Sequence, residues 1–251
     1  MTLKKHIPNS LTLLNLLFGC IAVLCFFLDY VVYIPFLTAL SLLADFLDGL
    51  AARALNVSSP IGKELDSLAD AVSFGVVPAI ALVYLITYYT YPPSVDLEFN
   101  LAETLNRIDS ISEGFLILFP LILALFSVLR LAKFNISTDQ TSEFKGLATP
   151  ASTIFVMGLF IAHFKGIKLN SSIEIAWMLR LIAIILSGLL LSNIPMFSFK
   201  LKGFALKENK WQYIFIAISL ILVAGFQWAS IPLIIICYIL LNIARTFEKR
   251  S

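Results

Sequence analysis

Residues 45–70 carry two polar segments in an otherwise apolar chain: Asp45-Phe-Leu-Asp48-Gly-Leu-Ala-Ala-Arg53 and, after eight further residues, Gly62-Lys-Glu-Leu-Asp66-Ser-Leu-Ala-Asp70. The aspartates are spaced i, i+3 and i, i+4, so each pair lies on one face of a helix. Carboxylates are costly inside membrane helices and usually mark a site. A cluster of four suits hard divalent cations, which prefer oxygen ligands and pair with phosphate. The two segments therefore predict a site that handles a phosphorylated substrate.

The composition is that of a membrane protein. The chain has 251 residues, of which 59% are hydrophobic and 14% charged, whereas a soluble domain carries about 25% charged residues. The apolar runs approach the roughly 20 residues that span a bilayer. We therefore expect an all-α polytopic membrane protein with about eight transmembrane helices, at 8–28, 31–55, 64–90, 113–136, 148–165, 174–195, 211–228 and 231–247.

The basic residues give an orientation. With eight spans, fourteen Lys and Arg residues fall on the side of both termini and four on the other side. The positive-inside rule then predicts cytoplasmic termini. The connection 54–61 is short and rich in turn residues, so the second and third spans should be adjacent and antiparallel. All four aspartates would then meet just below the cytoplasmic surface, within reach of a lipid head group and a cytosolic reactant.

The spacing of these residues resembles the signature of the CDP-alcohol phosphotransferase family, Asp-x2-Asp-Gly-x2-Ala-Arg-x8-Gly-x3-Asp-x3-Asp. Every fixed position of the signature is present: Asp45, Asp48, Gly49, Ala52, Arg53, Gly62, Asp66 and Asp70. The resemblance implies that Asp45, Asp48 and Asp66 are metal ligands. It implies that Asp70 is the general base for the attacking hydroxyl and also a metal ligand. The implied cofactors are two divalent cations, Mg²⁺ or Mn²⁺.

The residue types suit the implied chemistry. Cleavage of a CDP-linked lipid develops negative charge on CMP, and two divalent cations can clamp the pyrophosphate. The small residues Gly49, Ala52 and Gly62 would let the nucleotide approach the backbone, although helix packing is an alternative reason for Gly49. Arg53 offers a fork of donors to phosphate. The remaining candidates for binding CDP-diacylglycerol share one face of the first helix: Thr12 and Asn15.

Three further segments resemble phosphatidylserine synthases of the membrane-embedded CDP-diacylglycerol type. They are Ile7–Leu16, Ser73–Ala79 and Leu129–Asn135, the last followed by Phe144–Ala151. The resemblance favours L-serine as the acceptor, with phosphatidylserine and CMP as products. Candidate ligands for serine or phosphate lie at the end of the fourth span: Arg130, Lys133 and Asn135. Positive-inside anchoring is the other interpretation of these residues.

Two alternative functions stay open. One is the same chemistry with another acceptor, such as glycerol 3-phosphate in a phosphatidylglycerophosphate synthase. The other is a cation-coupled transporter, whose carboxylates would be expected near the bilayer midplane between repeated halves. The aspartate cluster is near one surface and is not repeated in the sequence, which favours the enzyme.

The wider expectations follow from the resemblance. Residues 1–200 would form a six-helix catalytic core, and residues 201–251 an appended transmembrane hairpin that is structural or contacts another subunit. The partners would be CDP-diacylglycerol, L-serine, membrane lipids and a second copy of the chain in a homodimer, with no nucleic acid. The location would be a prokaryotic inner membrane, with the active site facing the cytoplasm.

Overall fold

A computed structural model describes residues 3–57, 59–93, 99–106, 108, 110–136, 144–165, 173–197 and 209–248. Within these ranges the chain forms two short strands, β1 (Phe144–Lys145) and β2 (Pro195–Met196), and eleven α-helices. The helices are α1 (Leu3–Phe27), α2 (Ile34–Ala54), α3 (Pro60–Asp70), α4 (Val77–Thr90), α5 (Leu101–Asn106), α6 (Ile111–Leu118), α7 (Ile122–Ile136), α8 (Thr149–Phe164), α9 (Ile173–Leu190), α10 (Lys210–Phe226) and α11 (Ser230–Glu248).

The predicted all-α polytopic membrane architecture is confirmed. Among the described residues, six helical stretches are long and apolar enough to cross a membrane: His6–Phe27, Val31–Ala54, Pro60–Thr90, Ile111–Ile136, Ile173–Leu190 and Lys210–Glu248. The last stretch holds both predicted C-terminal spans, which a 3₁₀ turn joins. The predicted fifth span is α8, a shorter apolar helix of 16 residues. Eight crossings and cytoplasmic termini therefore stay predictions.

The stretch Pro60–Thr90 is the central element of the bundle. In its apolar 18-residue window 78% of the residues are buried, whereas no other candidate span exceeds 39%. Ser59 caps its first turn, since Ser59 Oγ accepts a hydrogen bond of 3.0 Å from the Gly62 amide, and Pro60 occupies the first helical turn. Directly after Asp70, residues Ala71–Val76 form π-helical turns, a local irregularity often found at functional sites.

Neighbouring helices pack closely on the π-helical segment. A Cβ on Gly75 would lie 3.2 Å from Ser127 Cβ of α7, so only a glycine permits this approach without adjustment. From α8, Thr153 Oγ1 donates to the Phe74 carbonyl at 3.1 Å. That carbonyl lies four residues before Pro78, which has no N–H to offer it. The segment is thereby fixed between α7 and α8.

The C-terminal hairpin of α10 and α11 contacts the rest of the bundle mainly through α11. Its two helices are antiparallel, with Lys210 Nζ 3.2 Å from Glu248 Oε1. No residue of α10 is buried, as expected of an apolar helix that faces lipid. At the contact of α11 with α8, a Cβ on Gly158 would lie 2.6 Å from Pro232 Cδ and 2.8 Å from Ile231 Cγ2.

We predict that Gly158→Ala destabilises the protein, because the added methyl group overlaps backbone-proximal atoms of α11 that cannot rotate away. Overpacking of this kind costs about 1–3 kcal/mol. The measurement is the melting temperature of the purified protein in detergent. Gly188→Ala is the matched control, since nothing lies within 4 Å of a Cβ at that helical glycine. Equal melting temperatures for the two variants would contradict the described contact of α8 with α11.

Candidate active site

The antiparallel helices α2 and α3 bring three predicted metal ligands together. One carboxylate oxygen from each of Asp45, Asp48 and Asp66 lies within 4.8 Å of the other two. Oxygens around one octahedral Mg²⁺ are about 3–4 Å apart, given metal–oxygen distances of about 2.1 Å. Small side-chain rotations would therefore bring these oxygens onto a shared cation.

Among the described residues, basic side chains do not form ion pairs with this cluster or with Asp70. Asp48 and Asp70 are only 7% and 8% exposed. Several carboxylates close together and shielded from water repel one another strongly. A set of donors made only of carboxylate oxygens, with no ion pair to a basic side chain in the described part of the chain, fits hard divalent cations. It has no sulfur or nitrogen ligand of the kind that softer metals prefer.

Asp70 lies behind the three-carboxylate cluster, at the end of α3. Its Oδ1 accepts a hydrogen bond of 3.1 Å from Asn15 Nδ2, and it is close enough to Asp45 for the two carboxyl groups to interact. The backbone carbonyl of Asn15 accepts hydrogen bonds from Ser41 Oγ at 3.1 Å and Ser73 Oγ at 3.0 Å. Asn15 thus joins α1, α2 and the π-helical segment around Asp70.

Helix α1 also contacts one of the candidate metal ligands, Asp48 of α2. Thr12 Oγ1 lies 2.6 Å from Asp48 Oδ2 and donates a hydrogen bond to it. The sequence interpretation assigned Thr12 and Asn15 to the substrate, and the structure shows that both bind aspartates of the motif. Spacing along α1 shows that the two residues share a face, but it carries no signal for the partner that this face meets.

A cavity of about 270 Å³ lies beside the cluster, where α1 begins and where α2 connects to α3. The cavity is lined by six of the predicted site residues: Thr12, Asp48, Gly49, Ala52, Gly62 and Asp66. The cavity also has lining residues that the sequence interpretation did not assign to the site: Pro8, Asn9, Val57, Ser59 and Lys63. Of these five residues, only Lys63 could have been suspected from the sequence, because it directly follows Gly62 of the motif.

The two motif glycines have different surroundings. A Cβ on Gly49 would meet only the guanidinium nitrogens of Arg53, at 3.9 Å. Helix packing therefore does not require a glycine there, and the space in front of it is open to the cavity. A Cβ on Gly62 would lie 3.0 Å from both Asn9 Oδ1 and Ser59 Oγ. Gly62 thus also permits the close approach of α3 to α1.

The three acceptor candidates on α7 are dispersed. Arg130 is within electrostatic range of Asp70, and its Nη1 donates a long hydrogen bond of 3.4 Å to Thr149 Oγ1. Asn135 bridges α7 to α3, since its Nδ2 donates to Ser67 Oγ at 2.8 Å and its carbonyl accepts from Lys63 Nζ at 2.8 Å. Lys133 is exposed. Of the three, Arg130 is the cation that the fold brings toward the aspartates.

Known proteins share this sequence pattern over most of the chain. Proteins named CDP-diacylglycerol–serine O-phosphatidyltransferase are 32% identical over 147 residues in Bacillus subtilis, 31% over 220 residues in Helicobacter pylori strain 26695, and 33% over 183 residues in Saccharomyces cerevisiae. These alignments cover 58%, 86% and 66% of this chain and 70%, 80% and 58% of the respective relatives. The sequence profile of the CDP-alcohol phosphatidyltransferases matches residues 5–189. The chain therefore belongs to the CDP-alcohol phosphatidyltransferase family.

Proposed function

We propose that this protein is a CDP-diacylglycerol–serine O-phosphatidyltransferase, which makes phosphatidylserine and CMP from CDP-diacylglycerol and L-serine. The observation that carries the proposal is the cluster of Asp45, Asp48 and Asp66 beside a cavity at one end of a membrane helix bundle. Family membership supports the transfer of a phosphatidyl group from a CDP-lipid. The names of the relatives support serine as the acceptor.

In this proposal the CDP group of the lipid occupies the cavity. Gly49, Ala52 and Gly62 present backbone to the nucleotide, and Arg53 lies next to Gly49 with donors for phosphate. Two divalent cations, Mg²⁺ or Mn²⁺, would be held by the aspartates and, when bound, would neutralise the pyrophosphate and stabilise charge on the leaving CMP. The aspartates supply only oxygen ligands, which is what Mg²⁺ and similar hard cations require.

Asp70 is the proposed general base and would also serve as a metal ligand. Its carboxylate takes the proton of the serine hydroxyl while the hydroxyl oxygen attacks the phosphorus that carries diacylglycerol. The bond from that phosphorus to the CMP oxygen breaks, and CMP leaves with the electron pair. The Asn15 amide, bonded to Oδ1, holds the Asp70 carboxylate in a fixed orientation.

The acceptor side of the site is proposed around α7. Arg130 is buried enough to hold a carboxylate in a fixed orientation, because a guanidinium offers a planar fork of donors. Lys133 and Asn135 would contribute positive potential and the link to α3. The site would face the cytoplasm of a prokaryotic inner membrane, which the distribution of Lys and Arg supports, and the enzyme would act as a homodimer.

The first prediction of this proposal concerns the acceptor. Purified protein with CDP-diacylglycerol and Mg²⁺ or Mn²⁺ should release CMP when L-serine is added and stay at background with glycerol 3-phosphate or myo-inositol phosphate. CMP is measured by chromatography and phosphatidylserine by mass spectrometry of the lipid extract. Release with another acceptor alone would reject serine while keeping the aspartate chemistry. No release with any acceptor, from folded and metal-loaded protein, would favour the transporter, and solute uptake into vesicles would then test that function.

The second prediction concerns the aspartates. Asp45→Asn, Asp48→Asn and Asp66→Asn should each lower CMP release at least about 100-fold at saturating substrates, because each removes a ligand charge from the cation site. Asp70→Asn should abolish turnover, because it removes the base. Chelation with EDTA should stop the wild type, and added Mg²⁺ or Mn²⁺ should restore it.

Asp29→Asn is the matched control for these variants. Asp29 lies just beyond α1, at the opposite end of the helix from the cavity. Its φ of 64° is a conformation that asparagine also tolerates. This variant should keep wild-type activity. Full activity of Asp45→Asn or Asp66→Asn would contradict the proposed metal site.

The third prediction separates the two motif glycines. Gly49→Ala should not lower the melting temperature, because a methyl group there meets only the ends of the Arg53 side chain at 3.9 Å and alanine favours a helix more than glycine does. It should raise KM for CDP-diacylglycerol about tenfold, because the added methyl group takes up space that the nucleotide needs to approach the backbone. Gly62→Ala should lower both stability and activity, because its methyl group would press on Asn9 and Ser59. A Gly49→Ala enzyme with unchanged KM would show that the nucleotide does not approach this backbone.

A further inference from the structure

Helix α11 lies beyond residues 5–189, which match the family profile, and the sequence suggested only an appended hairpin. Besides Ser230 at its first position, two polar side chains of α11 are nevertheless buried, Tyr238 at 8% exposure and Asn242 fully. Polar groups buried within a membrane protein are costly and must be compensated by specific hydrogen bonds. The partners of Tyr238 and Asn242 therefore indicate what α11 contributes to the molecule.

Both side chains bind the backbone of Phe197. The Phe197 amide donates to Asn242 Oδ1 at 2.7 Å, and the Tyr238 hydroxyl donates to the Phe197 carbonyl at 3.0 Å. Asn242 Nδ2 in turn donates to the Tyr238 carbonyl at 2.7 Å. Phe197 directly follows β2, whose antiparallel partner β1 precedes α8 in the chain. The interaction thus ties α11 to the segment that leads into α8.

Helix α8 contacts both Arg130 of α7 and helix α11. Its first residue, Thr149, is fully buried and accepts the hydrogen bond from Arg130 Nη1. One turn later, Thr153 binds the Phe74 carbonyl, and about one and a half turns further along, Gly158 allows the close contact with Pro232 of α11. The position of Thr149 therefore depends on the packing of α8 against the π-helical segment and against α11.

Arg130 itself is held by few contacts. Its Nε is buried and, among the described residues, has no hydrogen-bond partner, and its bond to Thr149 is long at 3.4 Å. Thr149 follows β1 by four residues, and β1 pairs with β2, next to the Phe197 backbone that Tyr238 and Asn242 bind. A guanidinium cannot lose its proton in a protein, so its unused donors are available to an anion. The orientation of the Arg130 guanidinium then depends on the residues packed around it.

We infer that α11 completes the acceptor side of the site, and that Tyr238 is a positioning residue that holds Arg130 oriented toward the anionic group of the acceptor. The inference rests on the proposed function for the role of Arg130. It assigns the C-terminal hairpin a part in acceptor binding that an appended structural element would not have. It concerns the acceptor half of the site and leaves the CDP-lipid half, on α2 and α3, unaffected.

The test is a comparison of steady-state kinetics for the full-length wild type and Tyr238→Phe. Removing the hydroxyl should raise KM for serine about fivefold to tenfold, the equivalent of one lost hydrogen bond. The KM for CDP-diacylglycerol should stay within about twofold. Tyr30→Phe is the matched control, because it removes the same hydroxyl from an exposed tyrosine outside α11, and it should behave as the wild type.

A second variant keeps the inference falsifiable. Asn242→Ala breaks the other bond to Phe197 and should raise KM for serine in the same direction, and the double variant should show less than the sum of the two effects because both act through one contact. A merely structural role would lower the melting temperature or kcat and leave KM for serine unchanged. That result, or an equal rise in both KM values, would overturn the inference.

Failure of the proposed function would look different. If the wild type releases CMP with another acceptor instead of serine, the same comparison is made with that acceptor, and a selective rise in its KM supports the role of Tyr238. If the wild type uses serine and Tyr238→Phe has an unchanged KM for serine, the inference fails while the proposed function stands. If the wild type releases no CMP with any acceptor, the proposed function fails and this role of Tyr238 with it.

Discussion

Repulsion among four carboxylates constrains the end of the helix bundle where α2 connects to α3. Two helices with a short connection bring Asp45, Asp48 and Asp66 to within 4.8 Å in a chain that is only 14% charged. Carboxylates so close together and poorly hydrated disfavour the packing of α2 against α3 unless cations join them. The folded arrangement of these two helices is therefore coupled to what the site binds.

The protein stabilises these carboxylates with neutral donors. Thr12 and Asn15, both from α1, donate hydrogen bonds to Asp48 and Asp70. A hydroxyl or amide lowers the cost of burying a carboxylate and leaves its charge intact, whereas a lysine or arginine in the same place would compete with a divalent cation. The use of neutral donors thus preserves the negative potential on which metal binding depends.

The parts of the structure that could be predicted are those set by local periodicity. Apolar runs located the long helices but not the short α5, and the i, i+3 and i, i+4 spacings together with the short connection placed Asp45, Asp48 and Asp66 together. The partnership of Asn15 with Asp70 could not be predicted, because it depends on how α1 is rotated against α3. The π-helical turns after Asp70 and the binding of Phe197 by Tyr238 and Asn242 arise from tertiary packing, which overrides local propensity.

The two halves of the site are built in different ways, and this explains why one was easier to recognise. The proposed CDP-lipid half lies on two consecutive helices, so its residues keep fixed spacings that a motif can record. The proposed acceptor half would draw on α7, α8 and α11, which are separated in the chain, so no short spacing describes it. Elements outside the motif can therefore change the shape around Arg130 without disturbing the aspartates. In a fold built this way, the chemistry of transfer and the choice of acceptor are able to vary separately.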